Sequence, residues 1–209
     1  MPDGRALHEP FHDPARQREA DRLGMIIFLS SEAMLFGGLF AAAMALRFLH
    51  PADFVAASSH LKIWLGTANT AVLLTSSLMA AVAVEAARGG RPRMAGWALA
   101  AAILLALLFL GIKGFEYWSE YREGLLPDLA DAHFQTRTQQ LFMNFYFLST
   151  GLHGLHVIGG VLLLGIAALR RSAREDRDAV LVGNVALYWH LVDVIWLFLY
   201  PTLYLPGVS

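Results

Sequence analysis

The sequence predicts an all-α, polytopic membrane protein of five transmembrane helices. Three observations predict it: five long apolar stretches, a shortage of charge, and basic residues gathered in alternate connections. Apolar types make up 56% of the 209 residues and charged types only 16%, with a mean hydropathy of +0.49. A soluble domain carries about 25% charged residues, so the medium this composition suits is lipid. A hydrocarbon core of about 30 Å takes about 20 apolar residues in a helix. Residues 24–48, 63–87, 95–117, 141–169 and 179–204 meet that length. Strands are excluded for these spans, because an open strand in lipid leaves its backbone groups unpaired.

Ahead of the first span, residues 1–23 form a polar tail with Arg16, Arg18 and Arg22 near its end. No cleaved signal peptide is expected, since the apolar run that follows is long enough to stay in the bilayer. Residues 24–209 then read as one transmembrane domain. Pro51 punctuates the first break, Gly89, Gly90 and Pro92 the second, Pro127 with Asp128 and Asp131 the third, and the charged run 170–178 the fourth.

Basic residues give the expected orientation. Arg5, Arg16, Arg18 and Arg22 precede span one, Arg88, Arg91 and Arg93 link spans two and three, and Arg170, Arg171, Arg174 and Arg177 link spans four and five. The other side has only Arg47, Lys62, Arg122 and Arg137. The positive-inside rule therefore puts the N-terminus in the cytoplasm and the C-terminus on the outer, periplasmic side.

A net charge of −1 gives no basic footprint for nucleic acid. The absence of cysteine rules out disulfides, thiolate metal sites and cysteine nucleophiles. No inverted repeat of the transporter kind is visible, and five spans do not halve. Small residues such as Gly37, Gly38, Gly151, Gly154, Gly159 and Gly160 suit close helix packing in lipid.

Ionisable residues inside spans are costly and therefore stand out. They are Glu32, Lys113, Glu116, His153, His156, His190 and Asp193. At 1.5 Å per residue Glu32 lies roughly 12 Å in from the cytoplasmic end, His190 about 16 Å, His156 roughly 20 Å, Asp193 about 21 Å and His153 about 24 Å. A carboxylate and several imidazoles could thus meet near mid-bilayer. Lys113 and Glu116, three apart on one helix, fall near the outer interface, where they can pair and snorkel. Haem ligation by His190 with His153 or His156, a metal site that adds Glu32, and a proton relay through Glu32 all fit these residue types. The reading preferred from the residues alone is that these groups satisfy one another or backbone carbonyls and pin the helices together, with no metal and no catalytic residue in the chain.

Four stretches carry a resemblance to a known family. Span one contains Phe28-Leu-Ser-Ser-Glu32-Ala-Met-Leu-Phe-Gly-Gly-Leu-Phe40, and span three ends Gly111-Ile-Lys-Gly-Phe-Glu116-Tyr117. Span four contains Gly151-Leu-His153-Gly-Leu-His156-Val-Ile-Gly159-Gly160, and span five Tyr188-Trp-His190-Leu-Val-Asp193-Val-Ile-Trp196. In this order they resemble cytochrome c oxidase subunit III. The resemblance implies a non-catalytic subunit of a haem–copper terminal oxidase, a multi-pass protein of the bacterial inner membrane. Haem and copper would lie in partner subunits, with catalytic subunit I and subunit II in the same complex. It further implies bound phospholipid beside Glu32 and support of stability, proton uptake and oxygen access, with His153, His156, His190 and Asp193 structural. Many members have seven helices, whereas this chain resembles the five-helix bacterial form. Its ending, Tyr200-Pro201-Thr-Leu-Tyr204, departs from the usual aromatic one. That leaves quinol oxidase and nitric-oxide reductase complexes as alternative homes, and a haem b membrane anchor as a rival outside the family.

Overall fold

A computed structural model describes residues 14–125, 136–170 and 175–208. The helices are α1 (Pro14–Leu49), α2 (Pro51–Ser58), α3 (Ile63–Arg88), α4 (Pro92–Arg122), α5 (Arg137–Leu169) and α6 (Glu175–Leu203), and a 3₁₀ turn, Leu205–Val208, closes the chain. Five of these helices contain a segment long and apolar enough to cross a membrane: Arg22–Leu49, Ile63–Arg88, Pro92–Arg122, Arg137–Leu169 and Val180–Gly207.

The boundaries follow local chemistry. Pro51 and Pro92 open α2 and α4, where proline's missing N–H costs nothing and its fixed φ suits a first turn. Thr136 caps α5 by accepting a bond from the Gln139 N–H at 3.3 Å. Gly90 and Gly124 adopt φ of +62° and +72°. The next N–H then reaches back five residues, Arg91 to the Ala86 carbonyl and Leu125 to that of Glu120, closing both helices in the glycine-terminated manner.

Three boundaries differ from expectation. Helix α1 begins at Pro14, inside the stretch read as a tail; α4 continues to Arg122, and α5 starts at Arg137. Hydropathy ends where the lipid does, but a helix keeps its backbone bonds past that level. The first break is also not plain loop, because α2 occupies most of it. Pro127, Asp128, Asp131 and residues 171–174 lie outside the described residues, while 175–178 are already helical.

Contacts fix the directions of the helices. Ser77 meets His190, Thr70 meets Trp196 and Thr67 meets Tyr200, so α3 and α6 run antiparallel. Phe28 packs on Tyr188 and Phe40 on Phe198, so α1 and α6 run parallel. Phe36 lies against His153 while Glu32 meets His156, which makes α5 antiparallel to α1. Helix α6 is central, packing on α1, α3 and α5, and its Trp189 and Trp196, with Tyr204 just past its end, are fully buried. Outward faces are apolar: Trp64, Trp97, Leu155 and Leu169 are all more than 60% exposed. Large apolar side chains spread over every side of a bundle match hydrocarbon as solvent.

Candidate functional site

The ionisable residues of the spans form three separate groups. The first joins α1 to α5. Glu32 Oε2 lies 2.8 Å from His156 Nε2, with both side chains under 20% exposed. His156 Nδ1 lies 2.8 Å from the Leu152 carbonyl oxygen. A carbonyl only accepts, so Nδ1 must carry a proton. The bond from Nε2 to Glu32 then holds one further proton, on the imidazole or on the carboxyl. Either way the pair is electrically neutral, which is the form lipid tolerates. Both ring nitrogens are engaged by protein atoms. Tyr188 adds a bond of 3.2 Å to the His156 carbonyl from α6.

His153, one turn away, does not join that pair. Its ring is fully buried among Phe36, Phe109 and Trp196, with centroids 6.5, 5.8 and 5.2 Å away, and neither nitrogen has a partner among the described residues.

The second group lies between α3 and α6. His190 turns away from α5 and places Nδ1 2.6 Å from the Ser77 hydroxyl. Asp193, three residues on, is 5% exposed and lies in the same α3–α6 seam, facing the Ser77 side chain. The neighbour of His190 shows why the ring turns this way. Trp189 fills the α5 side so closely that a Cβ on Gly160 would stand 2.5 Å from its ring.

The third group surrounds Lys113. Its ammonium donates to Glu116 Oε2 at 2.9 Å, to the Tyr146 hydroxyl at 2.9 Å and to the Tyr204 hydroxyl at 2.5 Å, using all three N–H bonds. Tyr204 donates onward to Glu116 Oε1 at 2.8 Å, and Tyr146 to Glu120 Oε1 at 2.9 Å. Four aromatic rings, those of Tyr117, Tyr146, Trp196 and Tyr204, lie within 5.4 Å of the ammonium. Lys113 and Glu116 therefore pair, but inside the bundle: they are 5% and 0% exposed and do not snorkel to water. Nearer the helix ends, Lys62 bonds Glu123 at 2.7 Å and Ser119 at 2.8 Å, tying α3 to the end of α4.

Glu120, Tyr146, Tyr204 and Ser77 were not among the sequence candidates. Lys113, Glu116, Tyr117 and Glu120 follow a three-to-four-residue spacing along one helix face, a signal cut short by ending span three at Tyr117. Among the described residues no group of three or more His, Asp or Glu is arranged to hold a metal ion.

Comparison with known proteins agrees with this architecture. The family model described as cytochrome c oxidase subunit III matches residues 8–208. A cytochrome c oxidase subunit 3 from Thermostichus vulcanus is 33% identical over 192 residues, covering 88% of this chain and 86% of that one. A probable cytochrome c oxidase subunit 3 from Nocardia farcinica is 29% identical over 96% of this chain and 95% of its own. A probable quinol oxidase subunit 3 from Staphylococcus aureus is 27% identical over 91% and 90%. With nearly the whole length matched, and with Glu32, Glu116, His156 and His190 each engaged at the interfaces between its spans, the chain belongs to the cytochrome c oxidase subunit III family.

Proposed function

We propose that this chain is the non-catalytic third subunit of a respiratory haem–copper terminal oxidase in a bacterial cell membrane, with its N-terminal side in the cytoplasm. It binds beside the catalytic subunit, which with subunit II holds the haem and copper. It stabilises that partner, sustains its proton uptake and oxygen access, and carries phospholipid along the α1 face beside Glu32. The observation that carries this reading is the Glu32–His156 pair, both of whose imidazole nitrogens are spent on protein oxygens. A histidine so engaged offers no lone pair to iron or copper.

Quinol oxidation by the partner is a second reading, supported by the likeness to the quinol oxidase subunit 3. The catalytic subunit that co-purifies distinguishes the two.

Neutral as a unit, the Glu32–His156 pair acts as a pin between α1 and α5. Glu32→Leu strands the imidazole and is expected to lower the yield of assembled complex, while the complex that does assemble turns over at its normal initial rate. Co-purification of the catalytic subunit and oxygen consumption measure the two. Full assembly with a progressive loss of turnover would instead make Glu32 a proton gate. Full assembly with normal sustained turnover would remove both roles.

A further inference from the structure

With both of its carboxyls ionised, the Lys113 group would carry a surplus negative charge. Lys113 is its one cation, while Glu116 and Glu120 are both buried, at 0% and 2% exposed. Lys62 lies close enough to Glu120 to act on it electrostatically, but its ammonium is already engaged by Glu123 at 2.7 Å and Ser119 at 2.8 Å. These two cations therefore face three carboxyls. A buried charge without a partner is costly enough that an ionisable group takes up a proton instead.

The hydrogen bonds say which group holds that proton. Glu116 receives a donor on each oxygen, the Lys113 ammonium on Oε2 at 2.9 Å and the Tyr204 hydroxyl on Oε1 at 2.8 Å. Those are the donors an ionised carboxylate needs. Glu120 receives the Tyr146 hydroxyl on Oε1 at 2.9 Å, and its Oε2 has no partner among the described residues. Both tyrosine protons are thereby spent, since each hydroxyl accepts from Lys113 and donates to a carboxyl. The other acceptor within reach of Tyr146, Glu116 Oε1, is farther away at 3.3 Å. Tyr117 engages Thr150 rather than Glu120. A bare oxygen is far costlier on an ionised carboxylate than on a carboxyl whose hydroxyl merely lacks an acceptor.

We propose that Glu120 is a proton-binding site, carrying a proton on Oε2 in the assembled complex while Glu116 is the ionised partner of Lys113. The proton exchanges with water past the end of α4, where Glu123 and Lys62 are 49% and 33% exposed. Through Tyr146 the site touches α5, and through the Tyr146–Tyr204 contact it touches the end of the chain. Loss of the proton sets an unpaired negative charge at this three-way junction and loosens it. The site requires no particular electron donor in the partner subunits and no particular sidedness of the bundle.

Infrared difference spectroscopy of the intact complex, titrated from neutral to alkaline pH, reads protonated carboxyls through a C=O stretch that shifts in D₂O. Subtracting the spectrum of a variant removes the carboxyls of partner subunits. The unaltered complex should lose one band on the alkaline side that Glu120→Gln lacks throughout and the exposed Glu123→Gln retains. Tyr146→Phe should move that band to higher frequency, because the Oε1 carbonyl loses its donor. The thermal midpoint of the unaltered complex should decline toward alkaline pH, as proton release favours unfolding, and that of Glu120→Gln should decline less. Carboxyl bands unchanged in Glu120→Gln, or the same alkaline decline in both proteins, overturns the proposal. Should Glu120→Gln fail to assemble, Tyr146→Phe decides, and an unshifted set of carboxyl bands overturns it equally.

Discussion

Lys113 shows how a charge is held in a bundle with almost no water. Its three protons have three acceptors, and Glu116 supplies the counter-charge at 2.9 Å. Such a cluster contributes little net stability, because desolvation offsets most of the attraction, but removing one member leaves a buried charge uncompensated at about 3–5 kcal/mol. Lys113→Met should therefore lower the thermal midpoint of the purified complex sharply. Lys113→Met with Glu116→Gln should recover part of the loss, because the double variant carries one buried carboxylate less. A double variant no better than the single would mean that the ammonium acts through its tyrosines rather than through Glu116. Residue identity and the Lys113–Glu116 spacing were legible in the sequence, but the partners supplied by other helices were not. Glu32, Lys113 and Glu116 stand out by charge alone, but the tyrosines that complete the cluster look like ordinary apolar filling until Tyr146 from α5 and Tyr204 from just beyond α6 are brought to one point.

At the scale of elements, the five spans were readable because lipid demands apolar length, and Pro51, Pro92 and the Gly89–Gly90 stop were visible as punctuation, whereas the helix that Pro51 opens and the stop at Gly124 were not. Helix ends were less so, since Trp118, Glu120 and Tyr121 interrupt hydropathy without interrupting backbone bonds, and α4 runs on through them. Which helices touch depends on small residues, and there the glycines of span four are not equivalent. Gly154 has open space beside it, whereas Gly160 sits beneath the Trp189 ring with no room for a methyl group. Gly160→Ala should cost about 1–3 kcal/mol by forcing α5 and α6 apart, while Gly154→Ala should be close to neutral. Thermal unfolding of the purified complex compares them; equal effects would mean that both glycines act through helix propensity alone.

For the whole molecule, alternating helix directions put the start of α1 and the end of α6 at opposite ends of the bundle. Arginine bias then gives the proposed sidedness, and the lack of native cysteine allows a clean check. In intact cells, Arg91→Cys should resist a membrane-impermeant maleimide and Ala52→Cys should react; the reverse pattern inverts the topology. The central claim is that this subunit uses its buried histidines and carboxylates to hold helices together, leaving redox chemistry to its partners. Haem and metal analysis of the chain expressed and purified on its own tests this most directly. The account predicts no Soret band and no stoichiometric iron or copper; a haem spectrum abolished by His190→Ala would contradict it.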